Sequence, residues 1–95
     1  MHKAYLEAYQ KGVQVAQKAP TGYARAKVGR RGTALEVVVS RRGEVYHAAS
    51  GRGWTDQGWS GGVADPAELK RALRSIGLDA RAARRMDWQP SLPLE

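Results

Sequence analysis

Apolar side chains recur at helical spacing in the first part of the chain. Residues 3–18 place an apolar residue every three or four positions, and the lysines fall between them, where they can stay in water. The segment predicts a helix whose apolar face consists of Tyr5, Leu6, Tyr9, Val13 and Ala16. Gly12 weakens this helix by up to ~1 kcal/mol relative to alanine, and the proline and glycine in residues 19–22 end it.

Between residues 23 and 50 the pattern changes to alternation, which is typical of strands. It predicts three strands, over residues 23–28, 33–39 and 44–50. The connections GRRG (29–32) and SRRG (40–43) are short and contain glycine, as hairpin turns do. Three consecutive strands with tight turns form an antiparallel sheet that has one apolar and one solvated face.

Residues 51–64 contain five glycines and two tryptophans, which predicts a loop. A second helix begins directly after it. Asp65 is a good N-cap, Pro66 suits the first helical position, and Glu68 completes a capping-box pattern.

Gly77 would end the second helix, and Asp79 would cap a short third helix over residues 80–86. The predicted order is α-β-β-β-α-(α), with the helices on one face of a three-stranded antiparallel sheet, which is an α+β fold. At 95 residues the chain suits one small domain, over residues 1–86, followed by a flexible apolar tail over residues 87–95.

The element order over residues 3–77 resembles that of the double-stranded-RNA-binding domain and of the HicA-type toxins, which share α-β-β-β-α. The segment ELKRALRSIGLDARAARRM (68–86) also looks like the closing helix of those toxins. Two features depart from these families. The second helix opens on acidic residues, and the toxins' Gly-Ser-His motif is missing. The resemblances imply RNA binding in one case and a small toxin ribonuclease in the other.

The composition is strongly basic, with a formal net charge of +7 from 16 Lys+Arg against 9 Asp+Glu. This balance favours polyanionic partners, chiefly nucleic acid, and we expect DNA rather than RNA. There is no cysteine, which excludes a disulfide or a cysteine-ligated metal. We find no motif for a metal, a cofactor or a small-molecule substrate, and no apolar run that predicts a membrane span or a signal peptide. A cytoplasmic protein is expected.

Basic residues cluster on the predicted sheet and its turns. Residues 23–52 carry seven of them against the two acidic residues Glu36 and Glu44. The predicted nucleic-acid-binding residues are Arg25, Lys27, Arg30, Arg31, Arg41, Arg42 and Arg52. Such a strip could follow a phosphate backbone and release counterions. Alternatively, it is a solvated face whose charged turns discourage edge pairing.

The loop contributes two further candidates, Trp54 and Trp59, which could stack on unpaired bases. Alternatively, at least one of them fills the core, because the chain has no phenylalanine. Catalysis has one weak candidate, His47, which could act with Asp56 as a general acid–base pair in a ribonuclease. A lone strand histidine is more often packed or solvated, so we expect no enzyme.

The last residues, QPSLPL (89–94), resemble the peptide with which many bacterial proteins dock onto the DNA polymerase sliding clamp. The matching positions are Gln89, Leu92 and Leu94, and the resemblance implies that they contact the clamp. Pro90 departs from the motif, which usually has an apolar residue such as leucine there. Alternatively, the tail folds back and covers the core.

Together these features favour a non-enzymatic nucleic-acid-binding accessory protein of replication or repair, or of a phage, which docks on the clamp. The alternatives are a HicA-like toxin ribonuclease and a phage-type inhibitor that binds host proteins.

Overall fold

The computed structural model describes residues 2–51 and 58–92. The elements follow in the order α1 (Lys3–Lys18), β1 (Tyr23–Arg30), β2 (Thr33–Ser40), β3 (Val45–Gly51), β4 (Ser60–Val63), α2 (Pro66–Ser75), α3 (Ala80–Arg84) and β5 (Gln89–Pro90). The strands form one antiparallel sheet in the order β4-β3-β2-β1-β5. No helix among the described residues is both long and apolar enough to cross a membrane.

The α+β class is confirmed, but the predicted three-stranded sheet and its element order are wrong. Two short edge strands, β4 and β5, bring the sheet to five strands, and β4 interrupts the predicted α-β-β-β-α order before α2. Glycine makes β4 possible where the sequence predicted a loop. A Cβ atom on Gly61 would collide with the carbonyl oxygen of Val45, so only glycine allows this approach. Gly61 has a φ of 100°, and the register shifts beside it, between Val45 and Tyr46.

The helix α1 has the predicted bounds, but it buries a different face. Its buried residues are Ala4, Tyr5, Ala8, Gly12 and Ala16. Leu6, which was predicted to be buried, is 39% exposed. A face made mainly of alanine and glycine has little side-chain bulk, so the helix lies close to the elements it packs on. It contacts β1, β2, α2 and α3.

Both predicted hairpin turns are present. Arg31 and Gly32 connect β1 to β2 with φ angles of 41° and 85°, as the two central residues of a type I′ turn require. In the second turn Gly43 has a φ of 88°. There the Ser40 hydroxyl accepts hydrogen bonds from the backbone N–H groups of Arg42 and Glu44, at 3.2 Å each. This turn is therefore fixed by its side chains as well as by glycine.

The start of α2 follows the predicted cap only in part. Asp65 accepts a hydrogen bond from the Ala67 backbone N–H at 2.9 Å, as an N-cap does. Glu68 was predicted to close a capping box, but its carboxylate instead contacts His47 and Arg71. The sequence pattern could not show this, because His47 lies on another element.

The core lies between the sheet and the three helices. Its largest fully buried members are Leu35, Leu69, Leu73, Val37, Val39 and Val45. Ala24 and Ala26 line the core from β1, which leaves Tyr23, Arg25 and Lys27 on the opposite face of the sheet.

Residues 87–92, which were predicted to be flexible, lie on the folded domain. Trp88 is 7% exposed and belongs to the core, and Gln89 pairs with Arg25 on the edge of the sheet. The Ser91 N–H donates to the Tyr23 carbonyl at 2.9 Å, and the Thr21 hydroxyl donates to the Ser91 carbonyl. An edge strand tolerates proline, so Pro90 is compatible with this pairing.

Candidate nucleic-acid interface

The face of the sheet opposite the core, which we call the outer face, carries no helix among the described residues. Helices α1 and α2 contact the apolar side of the sheet, and α3 packs on α1. The described outer-face side chains are Tyr23, Arg25, Lys27, Glu36, Val38, Tyr46 and Ala48. Basic and aromatic residues thus share a surface with two small apolar ones.

Arg25 and Trp59, two of the predicted binding residues, meet on this face. The Arg25 Cζ lies 5.6 Å from the centroid of the Trp59 ring, which is a cation–π contact. Trp59 directly precedes β4, three strands from β1, or roughly 14 Å at the usual strand spacing. The two side chains must therefore reach toward each other across the middle of the sheet. Val38 lies there and is fully buried although it points away from the core.

The sequence left two alternatives for Trp59, a surface on which bases stack or a place in the core. It is absent from the core, where the tryptophan is Trp88. Trp59 is half-buried, so part of the indole is accessible. Arg25 lies against it, and its Nη1 is also 3.4 Å from the Glu36 carboxylate. The pair forms an aromatic and cationic surface that is partly accessible.

Two tyrosines lie on the outer face toward the turn between β2 and β3. Tyr46 pairs with Val38 across the sheet, and Tyr23 pairs with Ser40. Burial raises the pKa of Tyr46, and the nearby Glu44 and Tyr23 raise it further. The hydroxyl of Tyr46 therefore stays neutral at physiological pH. Tyr46 was not among the predicted binding residues, although its pairing with Val38 places it on this face.

Three of the predicted cations are solvated and lie along the outer face or at its ends. Lys27 is exposed on β1, Arg31 lies in the first hairpin turn, and Arg42 lies in the second. Within residues 2–51 and 58–92, no acidic side chain lies within ion-pair distance of them. The two turns lie at opposite ends of the sheet, as expected of a meander.

Two other predicted cations, Arg41 and Arg30, donate hydrogen bonds to backbone carbonyls at helix ends. The Arg41 Nη2 donates to the carbonyl of Ala19, at the C-terminal end of α1, over 3.1 Å. The Arg30 Nη1 donates to the carbonyl of Gly77, just after α2, over 3.0 Å. Helix C-termini attract cations, so both contacts stabilise the fold. Arg52 and Trp54 lie outside the described residues, as does Asp56.

His47 lies on the core side of β3 and has a definite partner. Its Nε2 is 3.2 Å from Glu68 Oε1, and the Arg71 Nη2 lies 2.6 Å from the other carboxylate oxygen. The hydrogen bond from Arg71, followed by that from His47, lowers the pKa of Glu68 against the effect of its burial. This contact ties β3 to α2.

Two of the three residues of the predicted clamp motif, Gln89 and Leu92, lie in the described part of the chain. The Gln89 side chain is exposed and donates to Asp87 Oδ1 at 3.1 Å, while its backbone belongs to β5. Leu92 is 77% exposed, directly after the last backbone contact of the segment with Tyr23. Leu94 lies outside the described residues.

Among the described residues, no cluster of three or more His, Asp or Glu side chains could hold a metal ion. No protein-family model, curated protein or solved structure matches this chain. Its function therefore has to be inferred from the geometry of its surface.

Proposed function

We propose that this protein binds single-stranded nucleic acid on the outer face of its sheet. The observation that carries the proposal is the contact of Arg25 with Trp59, 5.6 Å from cation to ring centroid, on a face that no helix of the described residues covers. Proteins that bind single strands combine aromatic rings, on which bases stack, with cations that follow the backbone. Here both lie on one surface.

The dimensions of the outer face suit several nucleotides. Strand β1 has eight residues, or roughly 27 Å at the usual rise per residue. Trp59 and the two tyrosines would offer rings to successive bases near its middle and one end. Lys27, Arg31 and Arg42 would contact phosphates, because no described acidic group neutralises them. In a duplex the bases already stack on one another, so a duplex should bind less well than a single strand.

The test compares Trp59→Ala with the wild-type protein, using labelled 15-nucleotide oligo(dT) and oligo(U) and fluorescence anisotropy. Base–aromatic stacking contributes about 1–3 kcal/mol, so we expect the affinity to fall roughly tenfold to a hundredfold. The variant should stay folded, because Trp59 is not part of the core. A folded variant with unchanged affinity would overturn the proposal. The ratio of the two affinities distinguishes DNA from RNA.

A matched pair of lysines tests where the nucleic-acid backbone lies on the protein. Lys27 lies on the outer face, whereas Lys11 is exposed on α1, on the other side of the sheet. Lys27→Ala should reduce the salt dependence of binding by about 0.7 in log–log slope, the value for one single-strand phosphate. Lys11→Ala should leave the slope unchanged. Equal effects of the two substitutions would mean that only net charge matters.

A second candidate function is docking on a sliding clamp through the C-terminal segment. The observation that favours it is Leu92, the most exposed large apolar side chain among the described residues. An exposed leucine is suited to a partner's apolar groove. Residues 89–91 are held against β1 and Thr21, so docking of the whole motif would first release them from the sheet.

The experiment for this candidate compares a synthetic peptide of residues 87–95 with the intact protein. If docking requires release from the sheet, the peptide should bind a bacterial clamp more tightly than the protein does. Leu92→Ala should abolish both interactions and leave the unfolding temperature unchanged, because the side chain is 77% exposed. Absence of binding by the peptide would eliminate clamp docking.

A further inference from the structure

A groove on the helix side of the molecule collects three arginines from two parts of the chain, one from the end of β1 and two from α3 and its C-cap. It lies where the turn between β1 and β2 meets the turn between α2 and α3, and its volume is about 530 Å³. Its lining residues are Gly29, Arg30, Gly77, Leu78, Asp79, Arg81 and Arg85. The volume is in the range of pockets that hold small ligands.

Two of the three guanidinium groups have hydrogen-bond partners in the groove. The Arg30 Nη1 donates to the Gly77 carbonyl at 3.0 Å. The Arg81 Nη2 and Nε donate to Asp79 Oδ2 at 3.1 and 3.3 Å, in a surface ion pair whose arginine side chain is 82% exposed. Each guanidinium has five N–H donors, so both keep several for a ligand.

The groove has a surplus of positive charge. Asp79 is its one carboxylate, and its hydrogen bonds with Arg81 lower its pKa, so it remains ionised. Three arginines against this single aspartate leave a formal charge of +2. Arg85 is exposed, and no acidic side chain among the described residues lies within ion-pair distance of it. An anion would therefore find the guanidinium of Arg85 and the remaining N–H donors of Arg30 and Arg81.

We propose that this groove binds phosphate groups of the nucleic-acid strand that lies on the outer face, and this inference rests on the proposed function. Guanidinium groups match phosphate oxygens in pairs, which makes arginine a favoured phosphate ligand. Gly77 has no side chain, which lets the Arg30 guanidinium lie directly against it in the groove.

The position of the groove connects it to the outer face. Arg30 lines the groove, and its neighbour Arg31 forms the hairpin turn at the end of the outer face. A nucleic-acid strand that leaves the outer face past Lys27 thus meets Arg31 at the turn and then the groove behind it. The protein would bind the strand around the end of the β1–β2 hairpin and not only along a flat surface.

The experiment measures oligonucleotide binding by the double variant Arg81→Ala/Arg85→Ala as a function of salt. Loss of two phosphate contacts should lower the log–log salt slope by about 1.4, at about 0.7 per single-strand phosphate. The paired control is Arg74→Ala, which removes an exposed arginine of α2 outside the groove and should leave the slope nearly unchanged. Arg30 is left intact, because its contact with Gly77 stabilises the fold.

The outcomes separate the two proposals. If the wild-type protein binds no oligonucleotide, the proposed function fails. If it binds with an affinity that depends on Trp59, and the double variant has the wild-type slope, the groove proposal alone fails.

A second measurement distinguishes the strand from a small phosphate compound. Titration with oligo(dT) should shift the amide resonances of Gly29 and Gly77 in wild-type protein and not in the double variant. Inorganic triphosphate serves as the second probe. If triphosphate shifts these amides and the oligonucleotide does not, the groove takes free phosphate compounds, and its assignment to the strand is wrong.

Discussion

Trp88 and Trp59 occupy equivalent places in the chain and opposite sides of the sheet. Each directly precedes a short edge strand, Trp88 before β5 and Trp59 before β4. Trp88 lies on the helix side, 7% exposed and packed on α1. Trp59 lies on the outer face, half-buried against Arg25.

The neighbours of the two rings explain the difference. Gly12 leaves a gap on α1 that the Trp88 ring fills, since a Cβ atom there would lie 2.9 Å from two of its carbons. Trp59 has a guanidinium beside it and no helix over it among the described residues. The same residue type therefore supports stability on one side and is available for binding on the other. The comparison would be contradicted if Trp59 proved necessary for stability or if Trp88 took part in binding.

The largest expected effect is that of Trp88→Ala. Removing a buried tryptophan costs about 3–5 kcal/mol, because transfer free energy is lost and a cavity remains. In a domain of this size that is a large part of the total stability. Trp59→Ala should cost much less, about 1 kcal/mol, because its ring is only partly buried. Urea unfolding of both variants measures this, and equal losses would contradict the division between the two sides.

A second prediction sharpens the contact between Gly12 and Trp88. Alanine is the better helix former by up to ~1 kcal/mol, yet Gly12→Ala should destabilise the wild-type protein by about 1–3 kcal/mol because of the clash with the ring. In the Trp88→Ala background the clash is gone, so the same substitution should stabilise. This reversal of sign in a double-mutant cycle isolates the contact. A destabilising effect of equal size in both backgrounds would show that Gly12 matters for another reason.

The same comparison shows what the sequence could predict. Hairpins and helix starts follow from local signals, such as Gly32 and Gly43 in the turns or Asp65 at a helix start, and these are confirmed. The predicted end of the third helix is wrong, because α3 stops at Arg84 and not at residue 86. The strands β4 and β5 carry no such signal, because their pairing depends on a close approach to distant strands. β4 also begins in a segment whose glycines indicated a loop.

Side-chain roles were harder to predict for a similar reason. The sequence placed Arg30 and Arg41 on a binding strip, but each contacts a helix end that is distant in sequence. Trp88 was assigned to a flexible tail, because its place on Gly12 depends on residues 76 positions apart. By contrast, strand alternation alone placed Arg25 and Lys27 on the outer face, as the pairing register confirms.

A third prediction concerns the polar contact on the helix side. Glu68 has a lowered pKa, chiefly through its hydrogen bond from Arg71 and secondarily through that from His47. Its contribution to stability is therefore present above the unfolded-state pKa and is lost as the pH falls through the lower folded-state value. Glu68→Gln should cost about 1.5 kcal/mol at pH 7, the scale of a hydrogen bond to a charged group, and flatten the acid limb of the stability profile.

The control for this prediction is Glu7→Gln. Glu7 pairs with Lys3 on α1, but its side chain is 58% exposed, so the pair contributes little. The measurement is the free energy of unfolding of each variant between about pH 3 and pH 7, the range in which an ordinary glutamate of pKa ~4.3 titrates. If Glu68→Gln retained the full wild-type dependence on pH, Glu68 would not be a source of it.

The smallest expected difference separates the neighbours Arg41 and Arg42. Both are exposed arginines in one turn, but only Arg41 reaches the helix side, where it donates to the Ala19 carbonyl. Arg41→Ala should cost about 1 kcal/mol, because the C-terminal end of α1 loses a hydrogen bond and a favourable charge. Arg42→Ala should change stability by less than about 0.5 kcal/mol.

In oligonucleotide binding, the substitution of Arg42 should have the larger effect, which is the reverse of the order expected for stability. Arg42 lies at the end of the proposed outer-face surface, so Arg42→Ala should reduce the salt slope of oligonucleotide binding by about 0.7, and Arg41→Ala by less. Each variant serves as the other's control, since both lose one positive charge from the same turn. If the two variants lost the same amount of both stability and binding, the turn would act only through its charge. The distinction between the two sides of the sheet would then not extend to its ends.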